Sequence, residues 1–375
     1  MSTTLQTRPA PSAPTPARAV EKIVDCDIHP LPRSPTDIRK YLPERWRSHF
    51  DTYGNSFRQP FVGADLWPKP APYISRRDAY PPGGGPPGSD LAFMREQHLD
   101  PFNVEYGVLQ VLAPTGSNQR NAEYGAALCS AINDWQLAEW TGLEPRLRGS
   151  LVVTQESPDA AVKEIRRHGR NRQFAQVSVA QRTLEPLGRK RYWPIFAEAA
   201  AHDLPIGIHT GGFNGHAAVP GGGWCSYYAE SHHLIALGMQ ALLTSMVMEG
   251  VFEEFPTLKV VLIEGGLSWI PSLRWRLDGL WQRLGREVPH VKRPPSDYIR
   301  EHFFFSTQPV DDIEKPEQQR QLFEWIGWEQ LLFSSDYPHW DYDDSRYAFK
   351  FTMSKEEKRK LSYDNAMAVF RFDRS

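Results

Sequence analysis

Carboxylate and imidazole groups recur in this chain where β-branched runs end, and such a pattern suits a metal ion. Asp27 and His29, in Asp25-Cys26-Asp27-Ile28-His29, lie two residues apart, so strand alternation puts both on one face. His209 ends Pro205-Ile206-Gly207-Ile208-His209, Glu264 ends Val260-Val261-Leu262-Ile263-Glu264, and Asp336 ends Phe333-Ser334-Ser335-Asp336. A lone histidine is usually a hydrogen-bonded core residue, and Asp-x-His alone is a weak signal. The weight lies in the coincidence of several such ends. Together they offer nitrogen and oxygen donors of the kind that bind zinc, manganese or iron.

These residues can meet only if the runs that carry them converge. Eight such runs are present, at 23–29, 106–112, 147–153, 174–180, 204–209, 258–264, 302–307 and 330–336. Helical spacing of apolar residues fills most of the intervals, at 121–142, 158–169, 192–203, 232–250, 267–284, 311–327 and 354–370. Ser354-Lys355-Glu356-Glu357 reads as a capping box at the start of the last of these. Strands alternating with helices predict parallel pairing, and eight repeats predict closure into a (β/α)₈ TIM barrel. No glycine-rich phosphate turn follows the first strand. The triplets Gly83–85 and Gly221–223 sit in proline-rich loops. In a barrel the carboxyl ends of all strands face one mouth, which would bring Asp27, His29, His209, Glu264 and Asp336 together.

Two connections are too long for simple turns. Residues 30–90, dense in Pro, Trp, Tyr and Arg, follow the first strand, and residues 210–231 follow the fifth. Both leave the mouth of the barrel, so both are expected to act as a lid or substrate enclosure. Residues 1–20 are rich in Pro, Ala, Ser and Thr and read as a disordered tail, leaving 21–375 as the barrel domain.

Composition narrows the class. The chain has 375 residues, 40 % of them apolar, and a formal net charge of −2. That supports a sizeable core and gives no bias toward nucleic acid or anionic membrane. No apolar run approaches a membrane span. Cys26, Cys129 and Cys225 are too few and too scattered for a disulfide framework, and they fit a reducing cytoplasm. The expected partner is a small-molecule substrate. Exposed aromatics on the insertion also leave room for a homo-oligomer contact.

The strand-end motifs, with Phe255-Pro-Thr-Leu-Lys-Val-Val-Leu-Ile-Glu264-Gly-Gly and Phe333-Ser-Ser-Asp336-Tyr-Pro-His-Trp340, resemble the amidohydrolase-related group. That group includes aminocarboxymuconate-semialdehyde decarboxylase and the resorcylate-type decarboxylases, and the resemblance runs from about 23 to 370. It implies one divalent metal, zinc or manganese, held by Asp27, His29, His209 and Asp336. It also implies hydrolysis or non-oxidative decarboxylation of a small carboxylated or acyl substrate, with Glu264 and Asp336 as catalytic groups. Three departures stand out. Asp27 replaces the His found in many relatives. The fourth strand has no lysine to carbamylate. Glu264 stands where the decarboxylases place a catalytic His.

A glutamate at that position can handle protons, or it can bind or bridge metal. The second case resembles the TIM-barrel non-heme diiron monooxygenases, with two iron ions and a large apolar substrate such as a terpenoid or acyl-CoA-linked chain. A non-catalytic ligand-binding barrel is the third reading. His232, His233 and His339 are candidates for a second metal or for supporting the first. Arg182 and Gln308 are candidates for binding substrate, Arg182 by pairing a carboxylate or phosphate. Asp25 is expected to point away or to support the site indirectly, and Trp269 and Trp275 to pack.

Overall fold

All eight apolar runs become parallel strands in the computed structural model of the chain, which describes residues 21–54, 74–117, 119–212, 225–370 and 372. They are β1 (Ile23–Ile28), β2 (Val104–Leu109), β3 (Leu147–Val152), β4 (Phe174–Arg182), β5 (Ile206–Gly212), β6 (Val260–Leu262), β7 (Phe303–Ser306) and β8 (Leu331–Leu332). Each pairs with the next in chain order. The ring is completed by a parallel bridge between Ile28 and Tyr337 and by the Cys26 amide donating to the Phe333 carbonyl at 3.0 Å. The result is the (β/α)₈ barrel expected from the alternation.

The helices form the outer layer. They are α1 (Thr36–Arg39), α2 (Glu44–Tyr53), α3 (Leu91–Met94), α4 (Ala122–Gln136), α5 (Pro158–His168), α6 (Trp193–Ala201), α7 (Tyr228–His233), α8 (Ile235–Met248), α9 (Val251–Glu254), α10 (Trp269–Leu284), α11 (Pro295–His302), α12 (Pro316–Ile326), α13 (Lys355–Arg359) and α14 (Asn365–Phe370). Ser354 and Glu357 do form the capping box that starts α13: the Glu357 amide donates to Ser354 Oγ at 3.1 Å, and the Ser354 amide to Glu357 Oε2 at 2.7 Å. α12 starts at Pro316 rather than 311, because proline fits a first helical turn and cannot continue one. Asp311 lies outside it and accepts from the amides of Leu267 and Ser268 just before α10.

The insertion 30–90, of which residues 55–73 lie outside the described ones, carries α1 and α2. Trp46 and Phe50 of α2 are buried, and Trp46 packs on Tyr124 of α4. His302 ends α11 instead of opening β7. Trp269 packs in the core as expected, whereas Trp275 is exposed on α10, edge-on to Trp325. The tail 1–20 and the triplet 221–223 lie outside the described residues.

Small and aliphatic side chains, among them Val24, Cys26, Val108, Ala175, Val261 and Leu332, cluster with Val369 and Phe370 of α14 and with Phe372. Larger aliphatic and aromatic residues pack between strands and helices. No helix among the described residues is long and apolar enough to cross a membrane. Cys26, Cys129 and Cys225 form no disulfide with one another.

Candidate metal centre

The aim of the first-strand pair is set by a fault in the ladder. The register of β1 against β2 shifts between Asp25 and Ile28, and such a bulge re-aims the residues beyond it. Plain alternation would put Asp25, Asp27 and His29 on one face. Instead Asp25 meets His98, on the turn that extends α3, while Asp27 and His29 reach the barrel mouth. Gly88 fixes the next step. It has φ +77°, and a Cβ there would lie 2.2 Å from the carbonyl oxygen of His29, so only glycine lets the insertion pass so close.

Glu264 and Asp336 lie beyond the ends of β6 and β8. Both have left-handed backbones, φ +58° and +62°. Non-glycine residues hold that conformation at a cost of about 1–3 kcal/mol, and only where the surroundings enforce it. Here the Glu264 amide donates to Ser306 Oγ at 3.0 Å and the Asp336 amide to the Asp27 carbonyl at 3.1 Å.

The side chains then converge. His29 Nε2 lies 3.1 Å from Asp27 Oδ1 and 2.7 Å from Asp336 Oδ1. His209 Nε2 lies 3.5 Å from Asp27 Oδ2 and 3.1 Å from Glu264 Oε2. Asp27, His29 and His209 offer donor atoms all within 4.8 Å of one another, as do Asp27, Glu264 and Asp336. Yet both Asp27 oxygens, His29 Nε2, His209 Nε2 and Glu264 Oε2 are buried and lack a hydrogen-bond partner. A buried polar group left so costs about 1–3 kcal/mol. Several facing one space are what a shared cation would satisfy. The ring orientations agree, because His29 Nδ1 donates to the Gln110 carbonyl at 2.9 Å and His209 Nδ1 to the Thr210 carbonyl at 3.0 Å. Each ring therefore turns the lone pair of Nε2 inward.

Charge makes the same demand. Burial pushes the Asp336 carboxyl up, and Asp27 beside it adds to the effect. Burial, then Asp336, raises Glu264. Against burial, His29 and His209 hold Asp27 down. Three carboxylates at this separation cannot all ionise out of water without positive charge among them.

A second group adjoins the first. His232, Glu264 and Asp341 offer donor atoms within 4.8 Å, with His232 Nε2 3.1 Å from Asp341 Oδ2 and 3.6 Å from Glu264 Oε1. The nearness of Asp341 and Glu264 pushes His232 up to about 10. His339 stacks on His29 with ring centroids 4.2 Å apart and donates from Nδ1 to Asp336 Oδ1 at 2.6 Å.

His233, a candidate in the sequence, is exposed and belongs to neither group, because α7 turns it outward. Gln308 does not line the cavity. Its amide donates to Asp336 Oδ2 at 3.1 Å and Asp341 Oδ2 at 2.9 Å, so it braces carboxylates where substrate contact was expected. Asp341 was missed in the sequence. Its only signal was its place in the acidic stretch Asp341-Tyr342-Asp343-Asp344 after the last strand, which reads like a solvated loop.

Above the centre lies a cavity of about 260 Å³. Val111, Leu112, Val152, Val153, Val179 and Ile235 line its apolar side, while Arg182, His209, His232, Glu264 and Asp341 line the polar side. Arg182 ends β4, and burial lowers its guanidinium pKa. Ile74, on the returning arm of the insertion, closes one edge, with its carbonyl accepting from the Trp340 amide at 2.9 Å. Asp27, His29 and Asp336 are not part of the cavity lining.

Comparison with known proteins bears on this arrangement. The family model described as Amidohydrolase matches residues 24–372. The gamma-resorcylate decarboxylase of Rhodococcus jostii (strain RHA1) is 27 % identical over 319 residues, covering 76 % of this chain and 89 % of its own length. That of Polaromonas sp. (strain JS666) is 26 % identical over 310 residues, with the same shares. A solved structure of 5-carboxyvanillate decarboxylase from Novosphingobium aromaticivorans, complexed with manganese and 4-hydroxy-3-methoxy-5-nitrobenzoic acid, superposes with a TM-score of 0.68. It is 18 % identical and covers 93 % of this chain and 96 % of its own, a likeness of fold.

Proposed function

The chain belongs to the amidohydrolase family, and from that premise we propose that it is a metal-dependent, non-oxidative carboxy-lyase acting on a small aromatic acid. The observation that carries this reading is the set of buried, unpartnered donor atoms facing one space beneath a small cavity. Asp27, His29, His209 and Asp336 would hold one divalent cation, manganese or zinc. When bound, it supplies fixed positive charge beside the oxygens of an acidic substrate.

The chain's own groups do the rest. The valine and leucine wall takes the ring face and keeps water from it. Arg182, on the polar side, pairs with an anionic substituent. As the bond to the carboxyl carbon breaks, its electron pair stays on the ring carbon and carbon dioxide leaves. Glu264 Oε1 then gives that carbon its proton. Burial, and then Asp336, raises the pKa of this carboxyl, the direction a general acid needs. His232, within reach of Glu264 and Asp341, returns a proton from solvent. Ile74 from the insertion and Thr210, Tyr228 and Ser231 from the two ends of the connection after β5 serve as the enclosure. Three cysteines that form no disulfide with one another suit a reducing cytoplasm.

Release of carbon dioxide from hydroxylated benzoates tests the reading. Protein stripped with a chelator should lose turnover, and manganese at about one ion per chain should restore it. Undiminished turnover after stripping would overturn the proposal. So would two iron ions per chain with consumption of dioxygen and no carbon dioxide, which is the iron-oxygenase outcome.

A further inference from the structure

Asp25 takes no part in the candidate centre and does not line the cavity, yet its carboxylate is fully buried and fully used. Oδ1 accepts from the amides of Asp27 at 3.2 Å and Ser335 at 2.9 Å. Oδ2 accepts from the Ser335 hydroxyl at 2.5 Å and from His98 Nε2 at 2.8 Å. An ionised carboxylate has about four acceptor sites, so all of them are filled.

The location gives this its meaning. β8 contributes only two ladder residues. Beyond it, the seam to β1 is held by backbone bonds from Cys26 to Phe333, Asp336 to Asp27 and His29 to Tyr337. Asp27 and Asp336 face each other across that seam, so its width sets their spacing. Asp25 bridges it beside both of them. Ser335 Oγ also accepts from the Tyr337 amide at 3.1 Å, which fixes the turn in which Asp336 takes its left-handed backbone. His98 is held flat against Tyr337, with ring centroids 4.7 Å apart and planes 10° from parallel.

We propose that Asp25, with Ser335 and His98, is a positioning unit that sets the separation of Asp27 and Asp336 and hence the affinity of the centre for its cation. A Ser, His and Asp in contact also invite a nucleophilic reading. The geometry opposes it, because the Ser335 hydroxyl donates to Asp25 rather than to His98, and none of the three lines the cavity. The inference rests on Asp27 and Asp336 holding a cation.

Titration of chelator-treated protein with Mn(II), followed by the electron paramagnetic resonance of the free ion, tests it. Wild type should bind one ion. Asp25→Asn puts an amide N–H₂ among donors and should weaken binding by about 10- to 100-fold, the usual effect of losing a group that orients metal ligands. Ser335→Ala should give a smaller loss. His98→Gln keeps an N–H donor and should bind nearly as wild type does, whereas His98→Leu should not. Melting of each metal-free variant confirms that binding is compared among folded proteins. Should Asp25→Asn fail to fold, Ser335→Ala and the two His98 variants decide. Equal affinity in all variants, or equal loss in both His98 variants, would overturn the positioning role while leaving the lyase reading intact. A wild type that binds no Mn(II) would overturn both.

Discussion

A carboxylate oxygen that faces an imidazole nitrogen at 3.1 Å without hydrogen-bonding to it is oriented for a third body. Asp27 and His29 stand in that relation, and His209 and Glu264 repeat it at the same distance. The consequences separate by residue. His209→Ala should empty the centre, taking metal content from about one ion per chain to near zero with turnover. Glu264→Gln keeps the shape but removes the proton. It should lower turnover by about 10²–10⁴-fold, the usual contribution of a general acid, with Mn(II) content unchanged. Metal analysis beside carbon dioxide release checks both. Loss of metal in Glu264→Gln would make Glu264 a ligand rather than an acid. Asp341 and Gln308 are the lesson at this scale. Asp341 was ordinary in sequence and Gln308 was a candidate for binding substrate, and only their partners give each its place in the site.

Elements place these residues through their ends and their irregularities. β6 and β8 are three and two residues long, shorter than the apolar runs that encode them. The chain leaves the ladder early to turn Glu264 and Asp336 inward. That departure has no signature in residue type, because Ile263 and Phe333 look like strand residues and are buried like them. The insertion depends equally on one backbone position. Gly88→Ala places a Cβ against the His29 carbonyl at a positive φ. It should destabilise the protein by about 1–3 kcal/mol and weaken Mn(II) binding by displacing His29. Thermal melting and metal titration read the two effects, and an unchanged melting temperature would show that the insertion yields freely.

Across the whole molecule, pH acts through carboxylates that the fold surrounds with cations. Burial alone would raise Glu144, just before β3, but hydrogen bonds from Arg146 and Arg95 bring it down to about 2. Its folded value lies below the unfolded one, so its contribution is complete above about pH 4.5 and is lost as pH falls toward 2. The shift corresponds to roughly 3 kcal/mol. Glu144→Gln should therefore lower the melting temperature near neutral pH and progressively less below pH 4. A constant gap between the two proteins across that range would refute the linkage. Bound cation adds a second term. At a hundredfold excess over its dissociation constant it contributes about 2.7 kcal/mol, so Mn(II) should raise the melting temperature of wild type but not of His209→Ala.

The alternation of apolar runs and helical patterns determined the barrel unaided, because periodicity and chain order leave few ways to bury eight strands. It also determined that Asp27, His29, His209, Glu264 and Asp336 would share a mouth, since strand ends in a barrel have one place to go. Tertiary structure decided the rest. Asp25 was turned away from the mouth by a register shift that depends on β2, where Ile28 pairs with Leu109, 81 residues downstream. Gln308 and Asp341 met through contacts between separate loops, and His233 was turned to the surface although His232, its neighbour, faces the cavity. Each outcome turns on a direction in space of a side chain, and local sequence specifies directions only while the ladder stays regular.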